Sequence, residues 1–99
     1  MFTDDITFEW NSQKAAENRR KHGISFEEAK SAFLDGNARV IADSEHFEDE
    51  GRFILVGLSV RLRLLVVVHC YRAEESVIRI ISARKADKTE RRQYSEFLQ

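Results

Sequence analysis

Proline is missing from this chain, glycine occurs four times, and there is one cysteine. Each scarcity excludes something. A single cysteine cannot close an internal disulfide, which rules out a disulfide-stapled secreted scaffold, and Cys70, set in an apolar run, reads as a buried, inert thiol. Without proline, no helix or strand need be interrupted. No phosphate-cradling glycine loop, Ser/His/Asp elbow or CxxC pair is present, so most common enzyme classes drop out. No apolar run approaches the ~18 to 20 residues of a membrane helix. The opening Met1-Phe2-Thr3-Asp4-Asp5 is acidic where a secretory signal would be basic and then apolar, so a soluble, cytoplasmic protein with no membrane partner is expected. A chain of 99 residues, 42% of them hydrophobic, suits one compact domain spanning residues 1–99.

A net charge of -1 hides a strong asymmetry. Residues 1–50 hold twelve acids and six Lys/Arg, whereas residues 51–99 hold five acids and ten Lys/Arg, about +5 for the second half. From Arg52 to Arg72 there are four arginines and no acid. A polyanion docks on local charge, so the second half is a candidate nucleic-acid surface; the plainer reading is that these arginines solvate one face of a sheet.

The hydrophobic period divides the chain. Phe8-Glu9-Trp10 reads as a short strand or extended lead-in, and Asn11 as the cap of a helix running to about Lys21, which His22-Gly23 stops. Ser25-Phe26-Glu27-Glu28 is a capping box opening a second helix to about Leu34, with Phe26, Ala29, Ala32 and Phe33 on its apolar face. After the turn Asp35-Gly36-Asn37 the period changes. Val40-Ile41-Ala42 is a strand, Asp43 to Gly51 an acidic loop, and Arg52–Ser59 and Leu64–Arg72 an antiparallel hairpin linked by Val60 to Arg63. Leu64 to Val68 has the unbroken apolarity of a central strand. Val77–Ala83 is a further strand and Lys85–Phe97 a closing helix. The fold class expected is α+β: two N-terminal helices, an antiparallel sheet of about four strands and a C-terminal helix, with the helices packed on one sheet face.

Two constellations can carry chemistry. Asp43, His46, Glu50 and Arg52 gather where a loop enters a strand; Glu50 suits a general base and His46 a base or acid. One histidine among irregularly spaced acids lacks a metal-ligand pattern, so neither metal nor other cofactor is expected. The bland reading is an acidic loop with a surface Glu50–Arg52 pair. The second set is Arg72, Arg79 and Arg84. Arg79 interrupts an apolar strand and needs a partner, for example Glu90, or an open face where its guanidinium fork can hold phosphate oxygens. His69 reads as a core histidine, His22 as a helix-end cap, Trp10 as a packing residue, and Tyr94 as orienting the last helix.

Taken jointly, these residues resemble a known family. Phe8-Glu9-Trp10 with Lys14, Asn18, Lys21-His22-Gly23 and Ser25-Phe26-Glu27-Glu28-Ala29 is similar to the opening of the BrnT toxins. Asp43, His46, Glu50, Arg52 and Gly57 follow the family's order and spacing, as do Arg72, Ile78-Arg79-Ile80-Ile81-Ser82-Ala83-Arg84, Ala86, Glu90, Arg91 and Tyr94. Two positions depart from it: Asn11 stands for an aspartate, keeping the capping ability, and Val60-Arg61-Leu62-Arg63 lacks the glycine many relatives carry in that link.

The resemblance implies a RelE-like fold and a metal-independent RNA endonuclease of a type II toxin–antitoxin system. It also implies a BrnA-like ribbon-helix-helix antitoxin, two toxins assembling with two antitoxins, and DNA contacted only through the antitoxin. The site expected comprises His46, Glu50, Arg52 and Arg79 as catalytic residues and Arg72 and Arg84 as RNA-binding residues. The alternatives are a non-catalytic binding module and an inactive toxin acting as co-repressor.

Overall fold

A computed structural model describes residues 6–46, 51–74 and 76–98. Chain order is β1 (Thr7–Glu9), α1 (Ser12–His22), α2 (Phe26–Ala32), β2 (Arg39–Ala42), β3 (Phe53–Leu58), β4 (Leu64–Arg72), β5 (Val77–Lys85) and α3 (Lys88–Phe97). The helix boundaries follow local chemistry. Asn11 Oδ1 accepts the Lys14 amide at 2.9 Å, and Gly23 takes φ 72° to close α1 on the Arg19 carbonyl. Ser25 Oγ accepts the Glu28 amide at 3.0 Å. Glu28 does not complete the expected capping box: its carboxylate accepts from Ser59 Oγ at 2.7 Å and from the Arg63 guanidinium, tying α2 to the β3–β4 turn. The reciprocal box stands instead at α3, between Asp87 and Glu90.

Among the described residues the sheet has five strands, in the order β1-β5-β4-β3-β2. It is mixed, which corrects the expectation of about four antiparallel strands: β1 pairs with β5 in parallel and the other three pairings are antiparallel. The lead-in to α1 is therefore a sheet edge. Where β1 ends, a side chain continues its pairing. Asn18 of α1, buried, donates to the Ala83 and Ile24 carbonyls at 2.8 and 3.0 Å and accepts the Ala83 amide at 3.0 Å.

Strand alternation sorts the side chains onto two faces. One face carries Phe8, Leu55, Leu65, Val67, Ile78, Ile80 and Ala83 against Ile24, Phe26, Ala29, Ala32 and Phe33, and this is the core. Trp10 packs here, edge-on to Phe26 at 5.9 Å. Gly57 belongs to the same face, where a Cβ would lie 2.8 Å from the Ala32 carbonyl oxygen, so α2 sits close because this residue is glycine. The third helix departs from the expected one-sided packing. Its Glu90 and Tyr94, with Arg39, Ile41 and Val56, line a cavity of about 260 Å³ on the opposite face, and Phe97 lies under the Arg39 guanidinium at 3.8 Å. Tyr94 fastens α3 through a 2.5 Å bond to Asp35 Oδ2. Burial and this bond push the tyrosine up to about 12. The helix also starts three residues later than expected, because β5 runs on to Lys85.

Candidate nucleic-acid interface

The face that α3 partly covers is the one that Arg52, Arg72 and Arg79 share. Cys70 pairs with Arg79, and Arg79 with Glu9; on the other side the Asp43 amide donates to the Arg52 carbonyl at 2.9 Å. Continuing the β3–β4 register by one residue sets Arg52 beside Cys70. Asp43, Arg52, Cys70, Arg79 and Glu9 thus form one row across the five strands, side chains on the outer face. At the ~4.8 Å strand spacing, the Arg52 and Arg79 backbones stand roughly 10 Å apart, close enough for two guanidinium side chains to converge on one phosphate.

Arg79 and Arg84 share this face for a reason that regular alternation does not supply. Five residues apart, they would point to opposite sides of an unbroken strand. The register shift between Val68 and His69 leaves Ile81 as an extra residue in β5, so Val68 faces Ser82 while His69 faces Ile80. The bulge returns Ser82 and Arg84 to the side of Arg79 while Ala83 stays in the core.

The arginines differ in how they are held. Arg79 Nη1 donates to Glu9 Oε2 at 2.9 Å, and Arg72 Nε lies 3.4 Å from the same oxygen. The partner of Arg79 is therefore Glu9, and not Glu90 as the sequence suggested. Glu90 is engaged by Arg84 in a bidentate pair, both contacts at 2.8 Å, and Arg84 also donates to the Lys85 carbonyl. That pair holds the Glu90 carboxyl below its ordinary range against the opposing effect of burial. Arg84 sits at the α3 end of the sheet and is not brought together with Arg52, Arg72 and Arg79.

His46 lies in the turn after β2, exposed, with Nδ1 3.3 Å from Asp43 Oδ2. An aspartate on one ring nitrogen orients the imidazole and leaves the other to act. Glu50 lies outside the described residues. Asp43 and His46 are a pair, and among the described residues no three His, Cys, Asp or Glu side chains group as metal ligands. Cys70, expected to be buried, is only partly buried, at the centre of the polar row. His69 is fully buried on the core face, with Nδ1 3.1 Å from the Val67 carbonyl and Nε2 3.2 Å from Tyr71 Oη, and burial holds its pKa below the ordinary value. Glu9 enters the polar row unannounced by any motif; its one signal in the sequence is a carboxylate alternating with Phe8 and Trp10 on an edge strand.

Compared with known families, the chain matches over residues 10–90 the model described as "Ribonuclease toxin, BrnT, of type II toxin-antitoxin system". The chain belongs to the BrnT family. Among solved structures it is similar to the Brucella abortus ribonuclease toxin BrnT, with a TM-score of 0.66 at 20% identity, covering 84% of this chain and 99% of that one. At that identity the likeness shows a common fold. No curated protein matches the chain. Membership in the BrnT family makes this a ribonuclease toxin of a type II system, whose partner is a protein antitoxin. His46, Arg52, Arg72, Arg79 and Arg84 lie within the matched span and Glu9 one residue before it. Among the described residues, no helix of this BrnT chain is long and apolar enough to cross a membrane.

Proposed function

We propose that the whole chain acts as one RelE-like toxin domain whose outer sheet face cleaves RNA without a metal ion. The observation that supports this reading most is the row that sets Arg52 and Arg79 on one open face, with Arg72 beside them and the Asp43–His46 pair at one end. In the reaction, a ribose 2'-oxygen attacks the adjacent phosphorus while His46 or Glu50 takes its proton. The bond to the 5'-oxygen breaks, and that oxygen takes a proton from water or from the group that has just been protonated, giving a cyclic phosphate and a free 5'-hydroxyl. Arg52 and Arg79 stabilise the charge that builds on the phosphoryl oxygens, and Arg72 and Arg84 hold flanking phosphates. For Arg84 this requires release from Glu90. The cognate antitoxin is BrnA-like, two copies bind two toxins, and its ribbon-helix-helix domain makes the DNA contacts.

One observation favours a non-catalytic module or an inactive co-repressor: Arg63, Arg79 and Arg84 each bond to a carboxylate of this same chain. Induced expression separates the readings. A live toxin arrests growth, co-expression of the ribbon-helix-helix partner restores it, and Arg79→Ala grows normally. Normal growth with folded parental protein would favour the module or co-repressor.

A further inference from the structure

Among the described residues, three carboxylates take arginine partners, and they are not held alike. Glu28 is 4% exposed and Glu90 receives Arg84 on both oxygens, so each is fixed by burial or by a two-point fork. Glu9 differs on both counts. One oxygen, Oε2, takes both Arg79 and Arg72, and all three side chains face solvent, at 37%, 35% and 59% exposure. A single carboxylate oxygen between two open guanidinium groups has the charge and position of a bound phosphate oxygen. Such a surface pair is weak, whereas a phosphodiester brings two non-bridging oxygens, one for each of the same two forks.

From this geometry we infer that Glu9 is an internal stand-in for a nucleic-acid phosphate: it holds Arg72 and Arg79 in place on the resting surface and is displaced when a phosphodiester binds. The inference rests on the reading of this face as the RNA surface and adds to it a built-in competitor. Glu9 is then a positioning residue, which touches the arginines in the free protein and leaves them in the complex. Its carboxylate sits on β1 opposite Arg79 in the parallel register, so a rotation of its side chain clears the forks without moving the strand. Having the ion pair ready-made prevents the two like charges from repelling each other apart before substrate arrives. The disadvantage is affinity, because the bound phosphate must outcompete a tethered anion.

The test is a titration of the full chain and of Glu9→Gln with an RNA oligonucleotide made uncleavable by 2'-deoxy substitution, and with inorganic phosphate, at low and physiological salt. Removing a negative charge a few ångströms from the phosphate should tighten oligonucleotide binding roughly fivefold, most strongly at low salt. On cleavable RNA the same variant should lower KM by a similar factor and leave kcat unchanged. Glu9→Ala, which removes the carboxylate altogether, should move affinity in the same direction. Unchanged or weaker affinity in folded Glu9 variants would overturn the inference, as would a kcat loss of about a hundredfold, which would make Glu9 part of the reaction itself. A parental chain that binds the oligonucleotide but leaves RNA intact would defeat the ribonuclease reading alone, since the affinity comparison still decides the role of Glu9. Absence of binding by either form would defeat both.

Discussion

Asn18→Ala should be among the most damaging single truncations in the domain, although it removes only three heavy atoms. The amide makes three hydrogen bonds in a dry setting: two as donor, to the carbonyls of Ala83 and Ile24, and one as acceptor from the Ala83 amide. Ala83 and Ile24 are fully buried. A buried donor or acceptor left without its partner costs about 1 to 3 kcal/mol, and the two carbonyls sit at the lower end because a second lone pair can remain engaged. The sum, reduced by water entering the vacated space, is about 3 kcal/mol, or on the order of a hundredfold in the folded-to-unfolded ratio. With a urea slope of about 1.5 kcal/mol/M, the midpoint should drop by roughly 2 M at unchanged slope. Trp10, packed on Phe26, reports the transition by fluorescence. Native-state hydrogen exchange adds a local readout, since the Ala83 amide should lose protection beyond the global change. A loss below about 1 kcal/mol, with Ala83 still protected, would mean that Asn18 does not continue the sheet edge.

Three other outcomes follow from the backbone and the core. Leu62 holds φ 63° in the β3–β4 turn, where a glycine pays no steric penalty, so Leu62→Gly should raise stability by about 1 kcal/mol in urea unfolding. Gly57→Ala should lower the thermal midpoint by several degrees or more, because its Cβ meets a backbone carbonyl that side-chain motion cannot clear. Burial holds His69 below its ordinary 6.5, so on acidification the unfolded chain binds the proton first. Its contribution is complete above pH 6.5 and is lost as pH falls toward the lowered folded value; the urea midpoint should decline from pH 7 to pH 5, and the decline should shrink in His69→Gln.

The parts of the fold that could be read from sequence were those governed by near neighbours. Asn11, Ser25 and Gly23 mark helix ends because their partners lie three or four residues away. The β3–β4 hairpin announced itself through paired apolar runs. What escaped were long-range decisions. Three residues of β1 carry too short a period to reveal a parallel partner in β5, and the closing helix gave no sign of which sheet face it would take. Glu28 was assigned to its own helix cap when Arg63, far along the chain, provided a stronger partner. In the site, Arg52, Arg72 and Arg79 were recognisable as residue types, yet their common face depends on register, and the pairing of Arg79 with Glu9 depends on the unexpected strand. The bulge at Ile81 is equally silent in sequence, since Ile80-Ile81 looks like an uninterrupted strand.

The reaction proposed for the arginine row on the outer sheet face is metal-independent RNA cleavage. Its most direct test is the rate of cleavage of purified RNA, in excess chelator, by the parental chain and by Arg79→Ala and Arg52→Ala, each shown to be folded. The expected result is undiminished parental cleavage in chelator and a loss on the order of a hundredfold in each variant. Parental cleavage that stops on chelation, or variants that cut at the parental rate, would contradict it.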